Sequence, residues 1–300
     1  MNQISALRDA LGNVYRRQDY WLLPLFRALT ALVLFMTLRM RMGYSSLCAG
    51  IPVILAASLF CAFLPWAGIS FLGAALILGN LYSASLELTL VGALVFLMAA
   101  LIQSAFRAKG AALLAVLPFF YFLHIPYAVV LAAGFSLGIL GFIPLALGTV
   151  VYYFLHYAAE NVGGITQTTD MTELASQYAD IFSGFLGNRE MLLMIVVVTL
   201  GFLAVYILRS LPIDYAFLLA LLVGMVLMGG CLVLGGSRLG LGSLTGQIGG
   251  LLISLLLGAV YLLLFHNADY RGSEHLQFED EEYYYYVKAV PKRQSEKKGE

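Results

Sequence analysis

Charge is what this sequence has least of. Lys and Arg number 17 and Asp and Glu number 17, together 11% of 300 residues, with a formal net charge of zero. A soluble domain carries about 25% charged residues, so a water-facing surface of ordinary composition is excluded. Zero net charge also removes the global basic field that draws nucleic acid to a protein. Cysteine is scarce as well. Cys48, Cys61 and Cys231 lie inside apolar runs with no CxxC spacing, which favours packing residues over a disulfide or metal role. Catalytic and nucleotide signatures are missing: there is no GxxxxGK[ST], no HExxH and no GxSxG. His124, His156, His266 and His275 are dispersed, so no metal cluster can be read. On these grounds the chain is read as a non-enzyme, with no catalytic residue, metal or cofactor assigned.

What fills the space is apolar. Hydrophobic residues make up 61% of the chain, and runs such as Leu86–Phe106 and Met191–Leu208 carry almost no charge. A bilayer's hydrocarbon is about 30 Å thick, and a spanning helix needs roughly 20 such residues. Nine runs qualify by composition: Trp21–Leu38, Ser46–Leu64, Gly68–Leu81, Leu86–Phe106, Ala111–Leu131, Phe135–Tyr157, Met191–Leu208, Tyr215–Leu234 and Gln247–Phe265. The expected fold is all-α, a polytopic transmembrane bundle of about 8–10 membrane segments, some broken or re-entrant. Three regions follow. Residues 1–20 form an amphipathic interfacial helix, with Ile4, Leu7, Leu11, Val14 and Tyr15 at helical spacing. Residues 21–265 are the transmembrane domain, and residues 266–300 a charged, Tyr-rich cytoplasmic tail.

Lys and Arg in short connections set orientation. Arg8, Arg16 and Arg17 place the N-terminus inside, as Arg107 and Lys109 do their own loop. Arg209 and the basic tail also belong inside. The loop 158–190 holds five acids and one Arg, so it belongs outside. Nine passes cannot meet all of these. Residues 111–157 are interrupted by Pro118, His124-Ile125-Pro126, Gly134, Gly138, Gly141 and Pro144. Three pieces there, about 111–124, 126–140 and 142–157, restore parity and put both termini in the cytoplasm. Arg39, Arg41 and Arg238 remain on the wrong side. The expected location is the cell (plasma) membrane, with the lipid bilayer as solvent and partner.

Breaks at membrane depth survive only where protein or water covers the freed backbone groups, and transporters use them to aim helix ends at a substrate. That makes His124 and Pro126 candidate cavity residues, with Glu87 and Asp214, near helix starts, as residues able to face the same cavity. The competing reading is that Pro and Gly merely kink ordinary helices. Arg27 lies six residues inside Trp21 and is read as snorkelling to the headgroups. Gly246 and Gly250 stand at small-xxx-small spacing, which suits helix packing within one subunit or, alternatively, a homo-oligomer. In the loop 158–190, Asp170-Met171-Thr172-Glu173 is a capping box. It opens a helix whose apolar stripe includes Ile181, Phe182 and Phe185.

In the tail, four acids, Glu279–Glu282, run into Tyr283, Tyr284, Tyr285 and Tyr286 and then Val287-Lys288-Ala289-Val290. Tyr and Val favour strands, so this segment is read as extended, docking on the cytoplasmic face or on a cytoplasmic protein partner. Together with Asn188-Arg189-Glu190-Met191-Leu192-Leu193 and Ile213-Asp214-Tyr215-Ala216, the segment Phe278–Lys292 resembles an uncharacterised family of integral membrane proteins of Gram-positive, clostridia-like bacteria. Members are sometimes labelled transporter permeases. The resemblance implies a polytopic membrane protein and supplies no catalytic residues. The functional expectation is a transporter- or permease-like subunit. The alternative is a membrane scaffold that recruits a partner through its tail.

Overall fold

The computed structural model describes residues 2–106, 110–162, 171–213, 215–239, 245–265, 274–279 and 284–289. The helices are α1 (Asn2–Arg41), α2 (Ile51–Cys61), α3 (Trp66–Tyr82), α4 (Leu86–Ala105), α5 (Leu113–Phe122), α6 (Pro126–Ser136), α7 (Phe142–Asn161), α8 (Met171–Leu186), α9 (Arg189–Ser210), α10 (Ala216–Leu239) and α11 (Thr245–Phe265). A 3-10 turn, Ile139–Gly141, precedes α7. The membrane region is all-helical. Six helical stretches are long and apolar enough to cross a bilayer, in α1, α4, α7, α9, α10 and α11; α2, α3, α5 and α6 are shorter. This is a multi-pass integral membrane protein. Its outward surface fits that setting: Phe71 is 79% exposed and Val226 73% exposed, which a lipid environment makes favourable.

Residues 1–20 do not form a separate helix. α1 runs unbroken from Asn2 to Arg41 with Pro24 inside it. A proline removes one backbone hydrogen bond, and here that is not enough to end the helix. The interrupted stretch, by contrast, breaks twice. α5 stops at Phe122, His124 adopts a left-handed φ of 63°, and Pro126 starts α6 at its first turn. Proline suits that position because its missing N–H would have no partner there, and it disfavours helical backbone in Ile125 before it. α6 then ends at Ser136, and the 3-10 turn leads into α7. The third piece is longer than the sequence suggests. With its preceding turn it spans Ile139–Asn161 and is long enough to cross alone.

Side-chain contacts sort the helix ends onto two faces. On one, the Arg41 guanidinium lies 5.2 Å over Phe122, Ser45 N–H donates to Asn80 Oδ1, and Tyr127 donates to Gln247 Oε1 at 2.8 Å. On the other, Arg27 donates to the Leu64 carbonyl, Ser70 to that of Ala111, and Arg209 to those of Phe135 and Leu137. We call these the Arg41 face and the Arg209 face. The ten helices other than α8 alternate between them. The Tyr20 end of the apolar part of α1 and the Phe265 end of α11 therefore share the Arg209 face, as three pieces within 111–157 require.

α8 lies at the Arg41 face. Its Phe185 meets Phe154 edge-on at 5.6 Å, and both Ile181 and Phe185 are buried. Asp170 of the capping box falls outside the described residues. In the tail, β1 (Glu274–Glu279) and β2 (Tyr284–Ala289) form an antiparallel pair, with Phe278 opposite Tyr285 and Leu276 opposite Val287. The strand read from Tyr and Val is present, and one of its edges is taken by the chain itself.

Candidate functional site

A cavity of about 600 Å³ lies between α1, α3, α4, α5 and α7. Its walls come from three matched stretches: Ala67–Leu78 of α3, Ala93–Ser104 of α4 and Ala111–Phe122 at α5. Each is eleven steps long, about 17 Å at a helical rise of 1.5 Å per residue. Leu34, Phe35 and Leu38 of α1 and Val151 and Leu155 of α7 complete it. Small residues make the room. At Gly73, Ala74, Ala75, Ala93, Ala99 and Ala100 the helices present little more than backbone. Phe71 and Leu97 line the slot and are 79% and 56% exposed. The slot thus opens sideways onto the surface that faces lipid.

The polar residues of the lining are few and unevenly placed. Ser70, Gln103 and Ser104 all lie at the Arg209-face end, and only Thr37 lies elsewhere. Ser70 Oγ donates to the Ala111 carbonyl at 2.9 Å, and Ser104 Oγ to that of Leu101 at 2.9 Å. Beyond that end sits Arg27. Its guanidinium carbon is 5.8 Å from the Trp66 ring centre and Nη1 donates to the Leu64 carbonyl at 3.2 Å. Nε is buried and has no hydrogen-bond partner among the described residues. Arg27 is half-buried against the bundle.

The described candidates read from the sequence are not among the residues that line this slot. His124 is exposed at the Arg41 face, its Nδ1 3.3 Å from the Tyr121 carbonyl. The left-handed turn carries its backbone to α11, where a Cβ on Gly250 would collide with the His124 carbonyl. Gly246 and Gly250 thus serve packing within the subunit. Pro126 is buried in the first turn of α6. Glu87 is only 5% exposed and accepts from Ser85 Oγ at 2.7 Å. Ser85 is the N-cap of α4, so this carboxylate sits where the helix dipole favours it. Asp214 and Tyr283 fall outside the described residues. Tyr284 is 68% exposed, and Tyr285 and Tyr286 belong to β2.

A second polar feature lies where α5 packs on α7. Tyr121 hydrogen bonds Thr149 at 3.1 Å and stacks on Tyr152, with Tyr153 edge-on to both rings. The cluster holds these two helices together near the Arg41 face. Among the described residues no three His, Cys, Asp or Glu side chains converge as a metal site. No family model, no curated protein and no solved structure matches the chain.

Proposed function

We propose that this is a transporter- or permease-like membrane subunit whose cargo is an amphiphile. The cargo enters the slot by its hydrocarbon part. One observation carries the reading: an apolar cavity of about 600 Å³ opening toward lipid between α3 and α4. Ligand pockets typically measure about 300–1,000 Å³, and a wall almost without polar groups selects hydrocarbon over solutes that carry water. The resemblance to proteins labelled permeases points the same way. Without a P-loop in the sequence, any ATP-driven step belongs to a partner. The charge of the connections places both termini in the cytoplasm, so the Arg209 face is the cytoplasmic one.

The test is transbilayer movement of a fluorescent phospholipid in vesicles holding the purified full chain. Ala100→Phe, which fills the slot, is the comparison. Protein-dependent movement that falls in the variant is expected. Movement equal to that of protein-free vesicles, or unchanged by the filled slot, sinks the proposal. A second reading, a scaffold that recruits a cytoplasmic protein, draws on the tail hairpin and its 68% exposed Tyr284. A strand edge of this kind suits addition of a partner strand.

A further inference from the structure

We infer that the slot holds an acyl chain of an anionic phospholipid, with the phosphate at the Arg27 end. This rests on the reading of the slot as a site for hydrocarbon and goes on to assign the headgroup, its charge and its position.

Length picks out the occupant. The three wall stretches are each about 17 Å long, while one leaflet of hydrocarbon is about 15 Å, half the bilayer's 30 Å. The slot matches a single chain from one leaflet rather than a molecule spanning both. Its sideways opening at Phe71 and Leu97 lets the chain enter without leaving the lipid phase.

Polarity fixes which way the chain points. Ser70, Gln103 and Ser104 gather at the Arg209 face, where a headgroup would sit. Each serine hydroxyl already donates to a backbone carbonyl, which leaves its oxygen as an acceptor. The donors an anion needs come from Arg27. This arginine lies on the stripe of α1 that lines the slot, seven residues, two turns, before Leu34. One guanidinium nitrogen is used by Leu64, and the buried Nε has no partner. A buried guanidinium donor with no acceptor costs free energy, and a phosphate oxygen supplies the acceptor in a geometry that arginine's planar fork matches. The far end of the slot is different. There Phe122 is covered by Arg41, whose side chain is exposed.

The experiment uses the full chain in nanodiscs of equimolar phosphatidylglycerol and phosphatidylcholine with identical acyl chains. Retained lipid is counted by native mass spectrometry after the disc is removed. The wild-type protein is expected to retain phosphatidylglycerol about five-fold over phosphatidylcholine, the scale of one near-surface basic residue. Arg27→Gln should bring the ratio to the bulk value with total retained lipid unchanged. Arg27→Lys should keep part of the preference, and Arg41→Gln should keep all of it. Ala100→Phe should release both lipids. Retention by the wild type at the bulk ratio overturns this inference and leaves the slot reading intact. Retention of no lipid overturns both. A preference that survives Arg27→Gln, or that falls with Arg41→Gln instead, overturns the assignment to Arg27. The wild-type ratio decides even if a variant fails to fold.

Discussion

The half of the bundle built from α6, α9, α10 and α11 is closed, and the half built from α1, α3, α4, α5 and α7 is not. Both use glycine and alanine on their inner faces. In the closed half three buried glycines are tightly filled: Val205 of α9 packs between Gly134 of α6 and Gly224 of α10, and Gly250 of α11 receives the His124 carbonyl. In the open half Gly92 and Gly148 are packed against Phe154 and Leu117, but Gly73 beside the slot has only the Phe35 ring near it, 3.5 Å from where a Cβ would stand. The same residue type therefore marks helix contact in one place and vacancy in the other. In a membrane there is no hydrophobic drive between helices, so close contact comes from such packing.

The sharpest way to break this contrast is Gly250→Ala. The added methyl falls on backbone, the carbonyl of His124, which cannot rotate away as a side chain would. Either α11 moves off the α5–α6 turn, taking the Tyr127–Gln247 hydrogen bond with it, or the turn itself is rebuilt. Overpacking of this kind costs about 1–3 kcal/mol, and a clash with backbone belongs at the upper end. A large drop in apparent Tm of the detergent-solubilised protein is expected, and a Tm within 2–3 °C of wild type, a shift of under about 1 kcal/mol for a chain this size, would show the contact to be loose.

Arg209→Ala tests the second break in the closed half. The end of α6 leaves carbonyls without helical partners, and Arg209 donates to two of them, Phe135 and Leu137, while stacking 5.1 Å over Tyr206. Losing it strands two acceptors in a part-buried setting, a cost of about 1–3 kcal/mol. Faster limited proteolysis between Leu137 and Gly141 should accompany the loss. Arg209→Lys should restore only part, because one ammonium does not reach two carbonyls as a fork does.

Legibility in the sequence followed the same division. Proline and glycine announced the breaks at 123–125 and 137–141, although Pro118 and Pro144, which read the same way, stand inside α5 and α7. Parity then called for three pieces, and the helix ends alternate accordingly. The strand of the tail was legible from its Tyr and Val. The slot was not, because Gly73, Ala93 and Ala100 in a span read the same whether they face a helix, lipid or a void. Arg27 was visible only as a charge near a helix end. Its part in the site depends on Trp66 and Leu64, thirty-nine and thirty-seven positions away, a separation no local pattern encodes. The chemistry expected of His124 and Glu87 rested on ionisable residues being costly in lipid. The structure places one in an exposed turn and the other in a helix cap.

The finest form of the comparison makes the same change in the open half. Gly73→Ala adds a methyl to a buried position of α3. The new Cβ would stand 3.5 Å from Phe35, an ordinary contact, with the slot beyond it. No backbone lies in the way, so the steric cost that governs Gly250 is missing. What remains is helix propensity, where alanine is better than glycine by about 0.5–1 kcal/mol because it loses less backbone entropy on folding. Stability should therefore rise slightly, by a few degrees in Tm at most, while Gly250→Ala lowers it. The two substitutions change the same atoms in the same kind of helix, so opposite signs would isolate packing as the cause. A loss at Gly73→Ala comparable to that at Gly250→Ala would mean the slot closes on α3, and the division between a sealed half and an open one would fall with it.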